Sequence, residues 1–233
     1  MESSVSTKIS PDDEMMNFMK TKGKLTDDYL KAGKIDASVF VQTIKKWRPS
    51  FMFGKKVLDY GCGHGRITRY LPKFIAPSKL VVADVWQSAI NFCAQEFNGI
   101  PFLVSKDHPI SELRLKFDII ISMSVFSHLP PVSFEFFLND LSKTLADGGL
   151  LLFTTKGEYF SNKQGFSLNK GFHYINNKKK PNETEGRLKG DEYAFMCVST
   201  KYVENLLKKI GLRLLEYKET AVRRQDLYVV EKN

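Results

Sequence analysis

Long apolar runs and paired cysteines are both absent from this sequence. No stretch approaches the roughly 18 consecutive apolar residues that a membrane-spanning helix needs, and the first residues lack the basic end and apolar core of a secretory signal. The three cysteines, Cys62, Cys93 and Cys197, are far apart and form no CxxC pair. These absences argue against a disulfide framework, a structural zinc site and a membrane span, and they favour a reducing, cytoplasmic location.

Acidic residues are also in the minority. The 35 lysines and arginines outnumber the 26 acids, and the formal net charge is +9. Such an excess suits an acidic partner, such as nucleic acid or an anionic small molecule, but it equally suits a solvated lysine-rich surface. Part of the excess lies between Lys156 and Lys189, in a segment with weak periodicity. The charge alone therefore does not identify a partner.

Short apolar strands alternate with amphipathic helices along most of the chain. Strands are predicted at 57–60, 80–84, 101–104, 117–122 and 150–155, and this alternation indicates a doubly wound α/β sheet. Two further strands, LRLLEYKE and QDLYVVEK, follow each other without a helix and should pair antiparallel. The predicted fold is therefore a seven-stranded, mostly parallel sheet with an antiparallel last strand.

The chain divides by pattern into an N-terminal helical segment and a larger α/β domain. Residues 1–50 contain two helical patterns, the first beginning at Thr26 and ending at Gly33. Residues 51–233 form the α/β domain, and residues 156–197 interrupt its rhythm. Irregular segments of this length are functional or disordered in compact domains. We expect residues 156–197 to be an insertion that covers the active-site cleft as a lid.

A glycine-rich loop follows the first predicted strand. Gly61, Gly63 and Gly65 let the chain turn tightly and bring its backbone against a ligand, but their GxGxG spacing differs from the GxGxxG of dinucleotide sites. Asp59, just before the loop, would repel a pyrophosphate and suits an ammonium group. Asp84, at the end of the second strand, can accept both hydroxyls of a ribose or cap the next helix. These charges favour a cationic nucleoside as the ligand.

Four blocks of the chain resemble the class I S-adenosylmethionine-dependent methyltransferases. They are VLDYGCGHGRITRYL, VVADV, FDIIISMSVFSHLP and LADGGLLLFTTKG, and they span about residues 55–157 in the family's order. The SVFSHL block and the closing QDLYVV also resemble a bacterial subgroup, many members of which look like enzymes of glycan or secondary-metabolite modification. The resemblance implies a Rossmann-like methyltransferase fold, S-adenosylmethionine as methyl donor and S-adenosylhomocysteine as product.

The resemblance also implies which residues hold the cofactor. The glycine loop would approach the methionine and ribose portion, Asp59 would hold the methionine ammonium, and Asp84 would hold the ribose hydroxyls. The residues beside the adenine would follow the second and third strands, and the end of the fourth strand would meet the methionine. The full cofactor set is Asp59, Gly61, Gly63, Gly65, Asp84, Val85, Trp86, Asp107, Ser122 and Met123.

Two histidines are the candidates for chemistry at the methyl acceptor. An alcohol must lose its proton as the new bond forms and so needs a base, whereas an amine or thiolate needs little beyond positioning. His128 follows the fourth strand, where open α/β sheets bind ligands, and is the first candidate; the alternative is a helix-capping or pocket-lining role. His173 lies in the predicted lid or, alternatively, in an ordered surface loop. No carboxylate cluster follows the fourth strand, so we expect no metal.

Three functions remain open on these residues. The favoured one is methylation of a hydroxyl on a sugar or other small molecule, with a neutral or anionic small-molecule or glycan acceptor. The first alternative is an RNA or protein methyltransferase that uses the basic insertion, although nucleic acid is the less favoured partner. The second is a non-catalytic domain that keeps the methyltransferase fold for binding alone; the retained Asp59, glycine loop and Asp84 argue against it.

Overall fold

The computed structural model describes residues 5–49, 54–175 and 193–232. Within these residues, nine strands form one seven-stranded and one two-stranded sheet. The strands are β1 (Val57–Tyr60), β2 (Leu80–Asp84), β3 (Ile100–Leu103), β4 (Phe117–Ser122), β5 (Leu145–Thr155), β6 (Phe172–Ile175), β7 (Phe195–Val198), β8 (Leu212–Val222) and β9 (Gln225–Lys232). The α-helices are α1 (Glu14–Thr21), α2 (Thr26–Trp47), α3 (Gln87–Phe97), α4 (Pro131–Thr144), α5 (Glu158–Gln164) and α6 (Thr200–Lys209).

The large sheet has the strand order β3-β2-β1-β4-β5-β9-β8. Strand β1 pairs in parallel with both β2 and β4, while β9 is antiparallel to both β5 and β8. The predicted fold class is therefore confirmed, including the antiparallel last strand. The order of the strands reverses at β1, and open α/β sheets bind ligands beyond the carboxyl ends of the strands at such a point.

Two compact units divide the chain. The first comprises Met1–Ile110 with Ile119–Ile121, and the second comprises Ser111–Asp118 with Ser122–Asn233. In the first unit β1 and β2 are buried along their whole length, because their residues are nearly all apolar and face packed elements on both sides. In the second unit Leu150, Leu151, Leu152 and Phe153 of β5 are fully buried.

The prediction that a helix stops at Gly33 is wrong, because α2 continues from Thr26 to Trp47. A Cβ atom at Gly33 would lie 2.4 Å from the carbonyl oxygen of Arg66. Glycine is therefore needed at this position for the close approach of two backbones, and its presence does not mark a helix end.

Three further local features differ from what the sequence pattern predicts. The pattern predicts a helix with Ile67 and Leu71 after the glycine loop, a later helix that ends at Asp147-Gly148-Gly149, and no strand within the insertion. The helix expected after the glycine loop is a short 3-10 helix, Thr68–Lys73, with Pro72 inside it. Helix α4 ends at Thr144, so Asp147-Gly148-Gly149 lies within β5 and does not end the helix. The insertion contains the unpredicted pair β6–β7. The lid remains a prediction, because residues 176–192 lie outside the described residues.

Candidate functional site

The glycine loop has the backbone conformation that its composition requires. Gly61, Gly63 and Gly65 have φ angles of 77°, 50° and 76°, in the left-handed region that glycine adopts readily. A Cβ at Gly65 would lie 2.2 Å from the ring of Phe97, whereas a Cβ at Gly63 would meet nothing within 4 Å. Gly65 therefore serves close packing against α3, and Gly63 leaves open space beside the backbone.

Asp84 joins the end of β2 to the glycine loop. Its buried carboxylate accepts a 2.8 Å hydrogen bond from the backbone N–H of Gly63 and a 3.2 Å bond from that of Trp86. Burial raises the pKa of Asp84, and these backbone bonds oppose the rise. A carboxylate offers about four acceptor positions, so the group can still accept hydroxyl donors from a ribose.

Asp59 is a buried carboxylate directly before the loop. The hydroxyl of Thr68 donates to it over 2.6 Å. Burial raises the pKa of Asp59 to about 6, and the charge of Asp84 also raises it. A cation placed beside this carboxylate would stabilise its charged form. Thr68 was missed in the sequence analysis, and no local signal in its position distinguishes it from other helix residues.

The arginines beside the loop are bonded elsewhere. Arg66 forms an ion pair with Asp36 of α2, and both side chains are largely buried. Arg69 donates to the carbonyl oxygens of Gly65, Ser6 and Lys8, at 2.9, 3.2 and 3.1 Å. The charged side chains at the start of the loop are thus the two carboxylates. This pair of carboxylates fits a cationic nucleoside such as S-adenosylmethionine and does not fit a pyrophosphate.

The residues predicted beside the adenine lie in the same unit as the loop. Val85 is exposed and Trp86 is half-buried at the start of α3, and Asp107 is exposed on the loop after β3. The buried ring of His64 lies 6.4 Å from that of Trp86. The first unit therefore brings together the glycines, Asp59, Asp84, Val85 and Trp86, while Asp107 sits on a separate loop of the unit.

Ser122 and Met123 belong to the second unit. Ser122 is fully buried at the end of β4, and its hydroxyl has no hydrogen-bond partner within the described parts of the chain. Met123 is buried as well. Ser122 follows Ile121, which is the parallel partner of Asp59 in the β1–β4 register. The contact of Ser122 and Met123 with the methionine end of the cofactor remains a prediction.

His128 is held by the segment that enters β7. Its Nδ1 lies 2.7 Å from the carbonyl oxygen of Ala194, and its ring stacks on Tyr193 with centroids 4.5 Å apart. The backbone N–H of Ala194 donates in turn to the His128 carbonyl. Because a carbonyl can only accept, Nδ1 carries the proton and Nε2 is the free base of the neutral ring. Burial, and then the charge of Lys156, lower the pKa of His128 to about 3.

Aromatic rings surround the Lys156 ammonium. Its Nζ lies 4.1 Å from the ring centroid of Phe195 and 5.6 Å from that of Phe160, within the range of cation–π attraction. We call His128, Lys156, Phe160, Tyr193 and Phe195 the acceptor cluster. The sequence indicates only a basic excess in this segment, and it does not mark Lys156, Tyr193 or Phe195 as site residues.

His173 occupies a different environment from His128. It lies on β6, opposite Cys197 of β7, and its ring stacks on Phe166 with centroids 4.6 Å apart. Its Nδ1 lies 3.2 Å from the carbonyl oxygen of Ser167. These contacts tie His173 to its own segment, and its role at the acceptor remains a prediction.

A network of hydroxyl and amide groups joins the SVFSHL motif to the QD motif of β9. The Gln225 amide donates to the Ser124 hydroxyl over 2.8 Å and accepts from the Thr154 hydroxyl over 2.7 Å. Thr154 also accepts from the backbone N–H of Ser124, whose φ is +65°. Ser127 donates to the Ser124 carbonyl. Gln225 of β9 thereby fixes the loop between β4 and His128.

The described ranges contain neither a metal-ligand cluster nor a membrane-spanning helix. In the described ranges, no group of three or more histidine, cysteine, aspartate or glutamate side chains is placed to hold a metal ion. No helix in these same ranges is long and apolar enough to cross a membrane.

Most of the chain matches a known family of protein sequences. The profile of a family described as "Methyltransferase domain" matches residues 37–217. A fatty-acid O-methyltransferase of Mycolicibacterium smegmatis is 33% identical over 103 residues, which cover 43% of this chain and 37% of that protein. A ubiquinone biosynthesis O-methyltransferase of Glaesserella parasuis is 34% identical over 115 residues, covering 45% and 46%. The chain thus spans less than half the length of these relatives.

Solved structures share the fold at low sequence identity. DesVI of Streptomyces venezuelae superposes with a TM-score of 0.64 at 14% identity, covering 97% of this chain and all of the other. The N-methyltransferase NodS of Bradyrhizobium japonicum, in complex with S-adenosylhomocysteine, superposes with a TM-score of 0.54 at 16% identity, covering 82% and 84%. At such identities the likeness concerns the fold.

Proposed function

Because the chain belongs to the methyltransferase domain family, we propose that it methylates an oxygen atom of a small-molecule acceptor, with S-adenosylmethionine as the methyl donor. The acceptor that we favour is a hydroxyl of a sugar or another small molecule. The observation that carries this proposal is the acceptor cluster, in which the neutral ring of His128 and the Lys156 ammonium lie among aromatic rings.

The cofactor would be held by the residues of the first unit. Asp84 and the backbone of the glycine loop would bind the ribose, Asp59 would attract the methionine ammonium, and Val85 and Trp86 would flank the adenine. S-adenosylmethionine supplies a methyl group on a sulfonium, which is already activated for in-line displacement. Most of the protein's contribution is then to position the acceptor and exclude water.

The acceptor cluster favours an oxygen nucleophile over a cationic amine. The positive charge of Lys156 would repel an ammonium substrate and attract an anionic one. Aromatic faces offer stacking surfaces for a sugar ring or for the apolar body of a small molecule. In the hydroxyl reaction, His128 Nε2 would take the acceptor proton as the methyl–oxygen bond forms.

The low pKa of His128 favours a carboxylate as a second candidate acceptor. A base with a pKa of about 3 is far from the value near neutral pH that suits general-base catalysis. A carboxylate has already lost its proton, and it would need only the charge of Lys156 for orientation. The name of the fatty-acid O-methyltransferase relative is consistent with this candidate. The run of three lysines at 178–180, which would favour RNA or protein acceptors, lies outside the described residues.

The chemistry of the product separates the two candidates. We would incubate the full chain with methyl-labelled S-adenosylmethionine and, in separate reactions, with small hydroxyl, carboxylate and amine compounds, RNA and protein. Each labelled product would then be treated with mild base. A methyl ester loses its label in base, whereas a methyl ether keeps it. Label found only on added amines, or only on RNA or protein, would refute the proposal.

Substitution of His128 tests its role as the base. His128→Gln should lower kcat on a hydroxyl acceptor by about 10²–10⁴-fold, the usual contribution of general-base catalysis, and should leave the Kd for S-adenosylhomocysteine nearly unchanged. On a carboxylate acceptor kcat should hardly change. His108→Gln, on an exposed histidine that stacks on Phe102, is the matched control.

A further inference from the structure

A groove in the first unit shares no residue with the predicted cofactor set. It has a volume of about 510 Å³, within the range of about 300–1,000 Å³ that small-molecule sites occupy. One wall is a face of α2, a second is the 3-10 helix Thr68–Lys73 with Phe74, and a third is the N-terminal segment of residues 5–7. Most of its lining surface is apolar.

The third wall is fixed in place by a buried side chain. The Arg69 guanidinium donates to the carbonyl oxygens of Ser6 and Lys8, at 3.2 and 3.1 Å, and the hydroxyl of Ser6 donates to Glu96. The first and second walls are joined by Tyr70, whose hydroxyl donates to the Leu30 carbonyl over 2.7 Å. The groove is therefore a built feature of three connected elements.

Its side chains combine an apolar floor with positive charge. Leu30, Val41 and Phe74 form the apolar floor, and none of the described residues that line the groove is an aspartate or a glutamate. The exposed ammonium groups are those of Lys34, Lys45 and Lys73. No ion pair involves these three lysines among residues 5–49, 54–175 and 193–232, although Lys45 lies 5.1 Å from the Phe74 ring centroid.

We propose that this groove binds a free medium-chain fatty acid, with its hydrocarbon chain along the face of α2 that carries Leu30 and Val41 and its carboxylate at the end of the groove where Lys45 and Lys73 lie. The apolar floor removes methylene groups from water, and the lysines supply charge of the opposite sign to the head group. A neutral apolar ligand would leave the charges unused, and a small polar anion would leave the floor unused. This site is separate from methyl transfer and does not depend on the proposed acceptor.

Calorimetry with the full chain tests the proposal, using octanoate, decanoate and dodecanoate below their micellar concentrations. The affinity should rise about fourfold for each added methylene, from the usual transfer free energy of a buried methylene, and decanol should bind at least tenfold more weakly than decanoate. The double variant Lys45→Gln with Lys73→Gln should weaken decanoate binding by about tenfold. High salt should weaken it as well.

A variant that blocks the groove and a control variant outside it complete the test. Ser38→Trp places a large ring into the groove from an exposed position on α2 and should abolish binding, while the Kd for S-adenosylhomocysteine stays within twofold. Lys24→Gln with Lys106→Gln removes two exposed charges outside the groove and should change nothing. The proposal is overturned if no fatty acid binds, if Ser38→Trp binds normally, if decanol equals decanoate, or if only anionic phospholipid vesicles bind.

Discussion

Protonation of Asp59 should control the affinity for the cofactor below neutral pH. Burial raises its pKa to about 6, and only the charged carboxylate attracts the methionine ammonium. With that pKa, the charged fraction is about 0.9 at pH 7 and about 0.1 at pH 5. We therefore expect the Kd for S-adenosylhomocysteine to rise by about tenfold between pH 7 and pH 5, about twofold of it between pH 7 and pH 6 and about fivefold between pH 6 and pH 5.

The direction of the pH effect follows from which protonation state of Asp59 binds the cofactor. A cation that prefers the charged carboxylate lowers the pKa in the complex, so acid weakens binding and binding releases the proton. Calorimetry at pH 5, 6, 7 and 8 measures both the Kd and, in buffers of different ionisation enthalpy, the protons released. Below neutral pH the release should approach one proton for each site.

Two variants test whether Asp59 is the group whose titration changes the Kd. Asp59→Asn cannot titrate and should show weak binding with little change between pH 5 and pH 8, while the exposed Asp12→Asn should keep the wild-type slope. A flat wild-type curve, or an unchanged slope in Asp59→Asn, would refute the reasoning. In the second case Asp84, whose pKa is also raised by burial, would be the titrating group.

Three further substitutions test how the site is supported. Gln225→Leu should lower the free energy of unfolding by about 1–3 kcal/mol, because it leaves the Ser124 and Thr154 hydroxyls unsatisfied, and should speed amide hydrogen exchange at Ser124. Gly65→Ala should cost about 2–4 kcal/mol, because its Cβ would meet Phe97 at a positive φ. Arg66→Met should cost about 3–5 kcal/mol, because it leaves the buried carboxylate of its ion-pair partner without its cation.

Matched controls accompany these measurements by chemical denaturation. Gln95→Leu changes an exposed glutamine of α3 and should be nearly neutral. Gly23→Ala places a Cβ at nearly the same φ as Gly65 but with nothing within 4 Å, so its cost should be about 1 kcal/mol. Asp36→Asn with Arg66→Met should lose less than the sum of the two single changes. Equal losses in Gly23→Ala and Gly65→Ala, or strict additivity at the ion pair, would contradict the structure.

The sequence predicts the cofactor half of the site better than the acceptor half. Asp59, the three glycines and Asp84 lie at the ends of consecutive strands, so the order of the elements alone brings them to one edge of the sheet. Their protonation and hydrogen bonds were not predictable, because they depend on burial and on Thr68. The same limit explains Gly33, whose reason for being glycine is a carbonyl on another element.

The acceptor half depends on contacts between distant parts of the chain. His128 reaches Ala194 across 66 positions, and Ser124 reaches Gln225 across 101. Periodicity and local motifs carry no information about such pairs. The resemblance to the family drew attention to both the SVFSHL and the QD motif. Only the structure shows that the side-chain amide of Gln225 joins the two through hydrogen bonds.

The dependence of the Ser124 loop on Gln225 has a consequence for biosynthesis. All residues of the first unit precede Ser122 in the chain, whereas the loop that carries His128 lacks its amide partner until Gln225 has been made. At roughly 5–20 residues per second, the 101 positions between Ser124 and Gln225 take about 5–20 s to synthesise. During synthesis, every residue of the first unit is therefore already in the chain several seconds before the amide that fixes the Ser124 loop is made.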